Sequence, residues 1–374
     1  MSEGGVGMKK MIAILLAAAL LVFAAAACSS GKGGADKEDK EKSGSSSQDK
    51  SEEAKTDGED NEAQKAVDKL LEEEDFTGVV FSEKDGRIIA AAARGSLENG
   101  DPIKTDTPMP IGSVSKQFCA AAVLKLQEEG RLSIDDTLDK YFPEYKAGAK
   151  VTLKNLLSMR SGVPNIDEGI YSIATDDKTE EENIAAIKEW LFPQPLGFEP
   201  DKFYEYSNTN FMLLAYIIED ITGKKYIDYL REVILKPLGM EHTGDIGEML
   251  AGAEWAGGVK YTNIDKQPGL TKGAGDIIST GEDISRWLIG LSEGRVISEE
   301  SYELMTTNYS GAEGYGFGIR TEFFGGVGHP GNIGNYVAAD VVFPEDGQTI
   351  FFCSNSVPVG KLSPFMSSLV AAVC

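Results

Sequence analysis

The chain has 374 residues and a net charge of −24 at pH 7, with 60 acidic residues against 36 basic ones. This acidity argues against a nucleic-acid-binding protein, because nucleic acids select Lys and Arg that face phosphate. The four Cys and two His show no paired spacing, so the sequence predicts no disulfide framework, no metal site and no cofactor.

The N-terminus has the pattern of a bacterial secretion signal. Two lysines precede 17 apolar residues, Met11–Ala27, and Cys28 follows. A positive start, a short apolar core and a small-residue exit predict a signal peptide over residues 1–27. The ending Ala-Ala-Ala-Cys resembles a lipobox. We therefore expect lipidation of Cys28 and an extracytoplasmic protein anchored to the bacterial cell membrane, with secretion and a free Cys28 as the alternative.

Residues 28–65 are predicted to be a disordered tether. They contain no Pro, no aromatic residue and no aliphatic residue larger than Ala after Cys28. Such a segment cannot bury enough apolar surface to offset the entropy of ordering. As a flexible coil it would span roughly 33 Å. Residues 66–374 remain as the folded domain, and they carry a net charge of −21.

The folded domain is predicted to begin with a helix, Ala66–Glu74, and two strands, Phe76–Ser82 and Arg87–Arg94. Asp85-Gly86 between the strands is a hairpin signal. A helix with an apolar face follows at Ser113–Glu129, where Gly130 stops it. From there to about residue 275 the pattern is mostly helical. The helices predicted beyond Gly130 are Leu153–Met159, Asn183–Leu191, Asn210–Ile221, Tyr226–Leu235 and Asp283–Leu291.

Strands return near the C-terminus. They are predicted at Gly316–Thr321, Val327–His329, Tyr336–Phe343 and Thr349–Ser354, and a closing helix at Ser363–Val373. Strands joined by short hairpins pair antiparallel. We expect the first pair and the last group to share one sheet that the first and last helices cover. The helical middle, about residues 130–275, would be a second lobe with a ligand cleft at the seam.

The central motif is Ser113-Val-Ser-Lys116. This spacing puts Ser113 and Lys116 one helical turn apart on the same face. A Ser hydroxyl needs a base to become a nucleophile, and burial lowers the pKa of a Lys enough to supply one. Two further S-x-x-K copies, Ser29/Lys32 and Ser47/Lys50, lie in the tether. Only the copy at Ser113 opens an apolar helix after a Gly.

Two further motifs point to the same chemistry. Tyr206-Ser-Asn208 precedes a predicted helix: a Tyr hydroxyl can relay a proton, and an Asn amide can hold a substrate carbonyl. His329-Pro-Gly331 ends a strand, where glycine permits close approach of a substrate backbone. Both motifs occur a second time, the first at Tyr261 and the second at His242. These second copies lack the neighbouring helix or strand pattern of the first ones. An isolated Tyr or His of this kind is more often a core residue.

Taken together in chain order, G-S-V-S-K-Q-F, Y-S-N and H-x-G resemble the class C β-lactamase and D-alanyl-D-alanine carboxypeptidase family. The resemblance runs from about Phe76 to the C-terminus. Its other matching segments are Val151–Pro164, Ile234–Thr243 and Gly273–Leu288. It implies an α/β (α+β) fold of the β-lactamase/DD-peptidase type, an antiparallel sheet flanked by the N- and C-terminal helices with an inserted helical lobe.

Carried onto this chain, the resemblance implies that Ser113 forms an acyl-enzyme. Lys116 and Tyr206 would share the general-base and general-acid work, and Asn208 would orient the substrate. His329 and Gly331 would belong to the third motif at the sheet edge. The backbone N–H groups of Ser113 and Asn332 would form the oxyanion hole.

The third motif departs from class C β-lactamases, which carry Lys-Thr-Gly there. His329 looks more like D-alanyl-D-alanine carboxypeptidases, D-amino-acid peptidases and some esterases. Pro330 replaces the usual hydroxyl residue, so a contact to a substrate carboxylate is missing from this position. The expected substrates are D-Ala-type peptides, such as peptidoglycan stem peptides, related amides, esters, or β-lactams. The alternatives are a carboxylesterase, a weak β-lactamase, or a non-catalytic lipoprotein that senses penicillin or muropeptides.

Overall fold

A computed structural model of the protein describes residues 61–166, 172–261, 264 and 267–374. The signal peptide predicted over residues 1–27, with its lipidation at Cys28, lies outside these residues. So do residues 28–60 of the tether predicted over residues 28–65, and both stay predictions there. Residues 62–65 are not disordered: they form the first turn of a helix that begins at Glu62, where the Asn61 side chain accepts from Gln64 N–H, so the folded domain starts before the predicted boundary at residue 66. None of the described helices is long and apolar enough to cross a membrane.

The fold combines nine strands with eleven α-helices in the described residues. The strands are β1 Gly78–Lys84, β2 Arg87–Arg94, β3 Met109–Pro110, β4 Gly244–Asp245, β5 Ile277–Ser279, β6 Arg320–Phe323, β7 Gly326–Ile333, β8 Tyr336–Phe343 and β9 Gln348–Ser354. The helices are α1 Glu62–Glu73, α2 Ser115–Glu128, α3 Leu153–Leu157, α4 Glu180–Leu191, α5 Asn208–Thr222, α6 Tyr226–Leu230, α7 Lys236–Leu238, α8 Ile246–Leu250, α9 Gly281–Ser292, α10 Glu299–Thr306 and α11 Leu362–Val373.

Six strands form one antiparallel sheet in the order β2-β1-β9-β8-β7-β6. The first and last strand groups therefore share a sheet, as the sequence predicts, because β1 pairs with β9 from Gly78↔Ser354 onward. Asp85 and Gly86 both have positive φ, which is the backbone of a tight hairpin turn. A smaller sheet has the order β3-β5-β4.

The large sheet carries a hydrophobic core on each face. On one face α1 and α11 bury Leu71 and Met366 against strand residues such as Phe352. The other face packs on α9 and on a larger core that includes α2 and α5. In that core Phe118 of α2 stacks on Trp287 of α9 with ring centroids 4.2 Å apart. The α/β architecture, an antiparallel sheet flanked by terminal helices with helices inserted between its halves, is confirmed.

Three predictions of secondary structure are wrong. The strand predicted at Val327–His329 pairs with β8 as far as Ile333, so His329-Pro-Gly331 lies within β7 and not at the end of a strand. The strand predicted at Gly316–Thr321 begins only at Arg320, because Gly316 and Gly318 pack against backbone instead: a Cβ on them would lie 2.2 Å from Met305 O and 2.5 Å from Lys116 O. Ser113 does not start the α-helix. It lies in a 3₁₀ turn, Gly112–Val114, that runs into α2.

Candidate active site

Ser113 is fixed by the tight turn that leads into α2. Gly112 has φ +52°, a conformation that favours glycine. The Ser115 hydroxyl donates to Gly112 O at 2.6 Å and accepts from Ile277 N–H at 3.1 Å, which ties the turn to β5. One helical turn further on, Lys116 Nζ lies 2.9 Å from Ser113 Oγ. The S-x-x-K spacing therefore brings the two side chains into contact.

Lys116 is fully buried, and its amine faces three oxygen atoms. Besides Ser113 Oγ, these are Asn208 Oδ1 at 2.8 Å and Ala274 O at 2.5 Å. Burial lowers the pKa of Lys116 to about 7, although the charge of Asp276 acts against this. A neutral amine has two N–H groups and one lone pair. The two carbonyl oxygens occupy the N–H groups, so the lone pair is left facing the Ser113 hydroxyl.

Tyr206 covers the other side of the same amine. Lys116 Nζ lies 4.9 Å from the centroid of the Tyr206 ring. The Tyr206 hydroxyl is buried, and no hydrogen bond to it meets the usual geometry in the described residues. Burial raises the pKa of Tyr206, while the Ser113 side chain close by lowers it by a smaller amount. The phenol therefore stays protonated at neutral pH, and its proton is available to a group that reacts at Ser113.

Asn208 is the first residue of α5. Its backbone N–H donates to Asn165 Oδ1 at 2.8 Å, which fixes the start of the helix. Its side-chain Oδ1 accepts from Lys116, so the Nδ2 group is the part left to meet a substrate carbonyl. Asn208 thus contacts Lys116 through its side-chain oxygen and leaves its Nδ2 group available to bind a substrate in the adjoining space.

Strand β7 lies directly against the Ser113 turn. A Cβ on Gly331 would lie 2.0 Å from Ile111 O, and one on Gly112 would lie 2.7 Å from Asn332 N, so only glycine permits this approach. Strand β6 pairs with β7 only as far as Gly328, which leaves the edge beyond it without a strand partner among the described residues. The backbone of Asn332 therefore adjoins the turn that carries Ser113.

His329 is buried, and both of its ring nitrogens are engaged. Nδ1 lies 2.6 Å from Pro330 O, which can only accept, so Nδ1 carries the proton. Nε2 then accepts from the Tyr315 hydroxyl at 3.1 Å. Burial lowers the pKa of His329 well below its usual value, and the nearby Lys116 lowers it further. His329 is therefore neutral and bound within the protein. Whether it also contacts substrate stays a prediction.

Three side chains that sequence analysis missed complete the site. Tyr315 packs edge-on against Tyr206, with ring centroids 6.2 Å apart, and Tyr204 packs against Tyr315. Arg320 lies over the Tyr315 ring and donates to Glu313 O at 3.0 Å. The cluster of aromatic residues and glycines before His329 was a sequence signal for this group of side chains. Their position beside Tyr206 depends on contacts between residues about 110 apart in sequence.

The second copies of two motifs lie elsewhere. The Tyr261 hydroxyl donates to Pro108 O within the core. His242 is exposed, and its backbone N–H donates to Asp283 at 2.9 Å. In the described part of the chain, no three His, Cys, Asp or Glu side chains lie close enough to hold a metal ion.

Comparison with known proteins gives a consistent result. The family model described as Beta-lactamase matches residues 63–373. PbpX of Bacillus subtilis (strain 168), named as a penicillin-binding protein, is 29% identical over 301 residues, which cover 78% of this chain and 73% of PbpX. The next curated relatives are also 29% identical, but the chain spans only 38% of their length.

Solved structures have the same fold. A penicillin-binding protein homologue from Pyrococcus abyssi is similar with a TM-score of 0.66 and 28% identity, over 83% of this chain and 76% of that one. The D-amino acid amidase from Ochrobactrum anthropi SV3 has a TM-score of 0.69 over 84% of this chain and 98% of that one. Its 23% identity makes it a likeness of fold alone.

Proposed function

The chain belongs to the Beta-lactamase family of serine hydrolases and penicillin-binding proteins, and on this premise we propose that it hydrolyses D-alanine-type peptides or amides through an acyl-enzyme at Ser113. The contact between Ser113 Oγ and the buried amine of Lys116 supports catalysis. A binding module would gain nothing from a desolvated Lys aimed at a hydroxyl, because burying an amine is costly.

The proposed acylation begins when the Lys116 lone pair takes the Ser113 proton. Ser113 Oγ then attacks the carbonyl carbon, and the new oxyanion is held by the backbone N–H groups of Ser113 and Asn332. The C–N bond breaks as the leaving amine takes a proton from Tyr206. Lys116 then holds one extra proton, which it returns through Tyr206. Water repeats the same sequence on the Ser113 ester and releases the acid.

Arg320 is the observation that favours a substrate with a free carboxylate. Pro330 has no hydroxyl, and the ring nitrogens of His329 are bound to Pro330 O and Tyr315, so the third motif offers little to an anion. Arg320 carries a charge, and no carboxylate of the described residues forms an ion pair with it, although this domain is strongly acidic. Such a cation beside Tyr206 and Tyr315 suits the terminal carboxylate of a D-Ala peptide.

We expect Arg320→Gln to raise the KM for a peptide ending in D-Ala-D-Ala by roughly 10- to 100-fold, the cost of a lost charge-assisted hydrogen bond. The KM for the same peptide with a C-terminal carboxamide should stay nearly unchanged. Steady-state kinetics on both peptides provide the measurement. The matched control is Arg295→Gln, because Arg295 pairs with Glu293 and is half exposed.

Equal KM changes on the acid and the amide would remove the proposed role of Arg320. Cleavage of short acyl esters without cleavage of either peptide would favour the carboxylesterase, and turnover of β-lactams would favour a weak β-lactamase. A sensor would bind ligand without turnover and keep that affinity in Ser113→Ala. Each alternative thus has its own outcome in the same assay series.

We further propose that this hydrolysis takes place outside the cytoplasmic membrane, on a lipid anchor at Cys28. The apolar run Met11–Ala27 and the residues that follow it support this proposal. Metabolic labelling of the full chain with an alkyne fatty acid should mark the wild type and leave Cys28→Ala unmarked. Equal labelling of both proteins would contradict the proposal.

A further inference from the structure

Asp340 is a fully buried carboxylate in the middle of β8, whose other residues are nearly all apolar and buried. Its Oδ1 accepts from the backbone N–H of His329 at 2.7 Å. Both of its oxygens accept from Gln117 Nε2, at 2.8 and 2.9 Å. None of the described Lys or Arg side chains forms an ion pair with it. A buried charge without a cation is costly, so its presence calls for a reason.

The partners of Asp340 are arranged as donors. Gln117 Oε1 accepts from Trp287 Nε1 at 2.9 Å, which fixes the orientation of the amide and points its NH₂ group at Asp340. Neither of these two partners could therefore accept the O–H of a protonated Asp340. These hydrogen-bond donors favour the ionised carboxylate. Burial favours the neutral acid and raises the pKa of Asp340 to about 7.

The two partners of Asp340 belong to two of the elements that form the active site. Gln117 is next to Lys116 on α2, and His329 begins the third motif on β7. Strand β7 and the turn that leads into α2 approach so closely that a Cβ on Gly331 would overlap Ile111 O. A small displacement of β7 against α2 would change the gap between the backbone N–H groups of Ser113 and Asn332. Displacements of about 1 Å at such a site cost about 100-fold in rate.

We propose that Asp340 is a positioning residue that, through Gln117 and the His329 N–H, holds β7 in register with α2 and so sets the oxyanion hole. This inference rests on the proposed function. A purely structural role would be met as well by an apolar side chain of similar size, since replacing buried polar networks with packed apolar groups is often neutral or stabilising.

A reciprocal exchange of amide and carboxylate tests the inference. Asp340→Asn sets an NH₂ group against that of Gln117, and Gln117→Glu sets a carboxylate against Asp340. Each single variant should lower kcat by roughly 10- to 100-fold with a KM within about twofold of wild type. In the double variant, the new carboxylate on α2 accepts from Trp287 Nε1 and from the new amide on β8, whose oxygen accepts from the His329 N–H. We expect it to recover most of the lost kcat.

The control is Asp346→Asn, because Asp346 follows β8 and pairs with Lys84 at 2.9 Å, at a distance from the site. Wild-type kcat in both single variants would overturn the inference, as would a folded double variant without recovery. If the double variant does not fold, Gln117→Met decides: it keeps the volume and removes the bond, and an unchanged kcat would overturn the inference. A different result would contradict the proposed function: a wild type without hydrolytic activity, or one whose activity is unchanged in Ser113→Ala.

Discussion

Replacing Lys116 with Met is expected to lower the acylation rate by about 1,000-fold, within the range that a positioned general base contributes. Met fills a similar volume but has no lone pair that accepts the Ser113 proton strongly. In the wild type, acylation should rise with pH through about 7, because the neutral amine is the base and burial lowers its pKa to about 7. Stopped-flow acylation between pH 5 and 9 measures both effects.

Lys125→Met is the matched control, because Lys125 lies on the same helix and pairs with Glu128 at the surface. It should keep both the rate and the pH profile of the wild type. Full activity in Lys116→Met would remove Lys116 from the site. A wild-type profile that is flat through pH 7 would contradict its role as the base.

The same lowered pKa has a consequence for stability. Between about pH 7 and 10.5 the folded protein binds fewer protons at Lys116 than the unfolded chain does. The free energy of unfolding therefore contains a contribution from Lys116 that rises with pH across this window. Below about pH 7 the folded protein must hold a charged amine in a buried site, and this cost disappears once the amine is neutral. Lys116→Met should lack this contribution, which denaturant melts of both proteins at pH 7 and 9 would reveal.

Ser113→Ala is expected to abolish covalent labelling by benzylpenicillin and to lower hydrolysis by about a million-fold, as removal of a nucleophilic Ser does elsewhere. In the wild type, Ser113 Oγ attacks the lactam carbonyl and opens the ring. No group leaves, so the intact mass should increase by the whole mass of the drug. PbpX being named as a penicillin-binding protein supports this choice of probe.

Ser47→Ala in the full chain is the control, because Ser47 and Lys50 repeat the S-x-x-K spacing in the predicted tether. It should label like the wild type. An adduct that persists in Ser113→Ala would place the nucleophile elsewhere. A wild type that neither keeps an adduct nor consumes the drug would favour an esterase, and a panel of short acyl esters would follow.

The parts of the site that depend on local spacing were predictable from sequence. Ser113 and Lys116 are three residues apart on one helical run, so their contact follows from helix geometry. Tyr206 lies just before α5 and Asn208 is its first residue, and their motif already indicated a helix start there. The sheet followed from hairpin signals and alternating strands, which fix neighbours in sequence and the faces they bury.

The remaining parts depend on distant contacts. Ala274 O reaches Lys116 from 158 residues along the chain, and no pattern in the sequence marks that carbonyl. The stretch before Arg320 looks β-like because Gly316 and Gly318 stand among apolar residues. Their backbone contacts with Met305 and Lys116 prevent a strand there. Asp340 had one signal that sequence analysis did not use, a lone charge inside the run Tyr336–Phe343.

The pairing of β1 with β9 also bears on how the chain folds. The strand that arrives last along the sequence lies between β1 and β8, in the interior of the sheet. Until residue 354 has been synthesised, the β1–β2 hairpin and the β6–β8 group have no common partner. Closing a loop of about 270 residues is entropically costly and slow, and long-range pairing of this kind exposes strand edges to aggregation. We therefore expect assembly of the sheet, and with it the approach of β7 to the Ser113 turn, to be a late event in the folding of this protein.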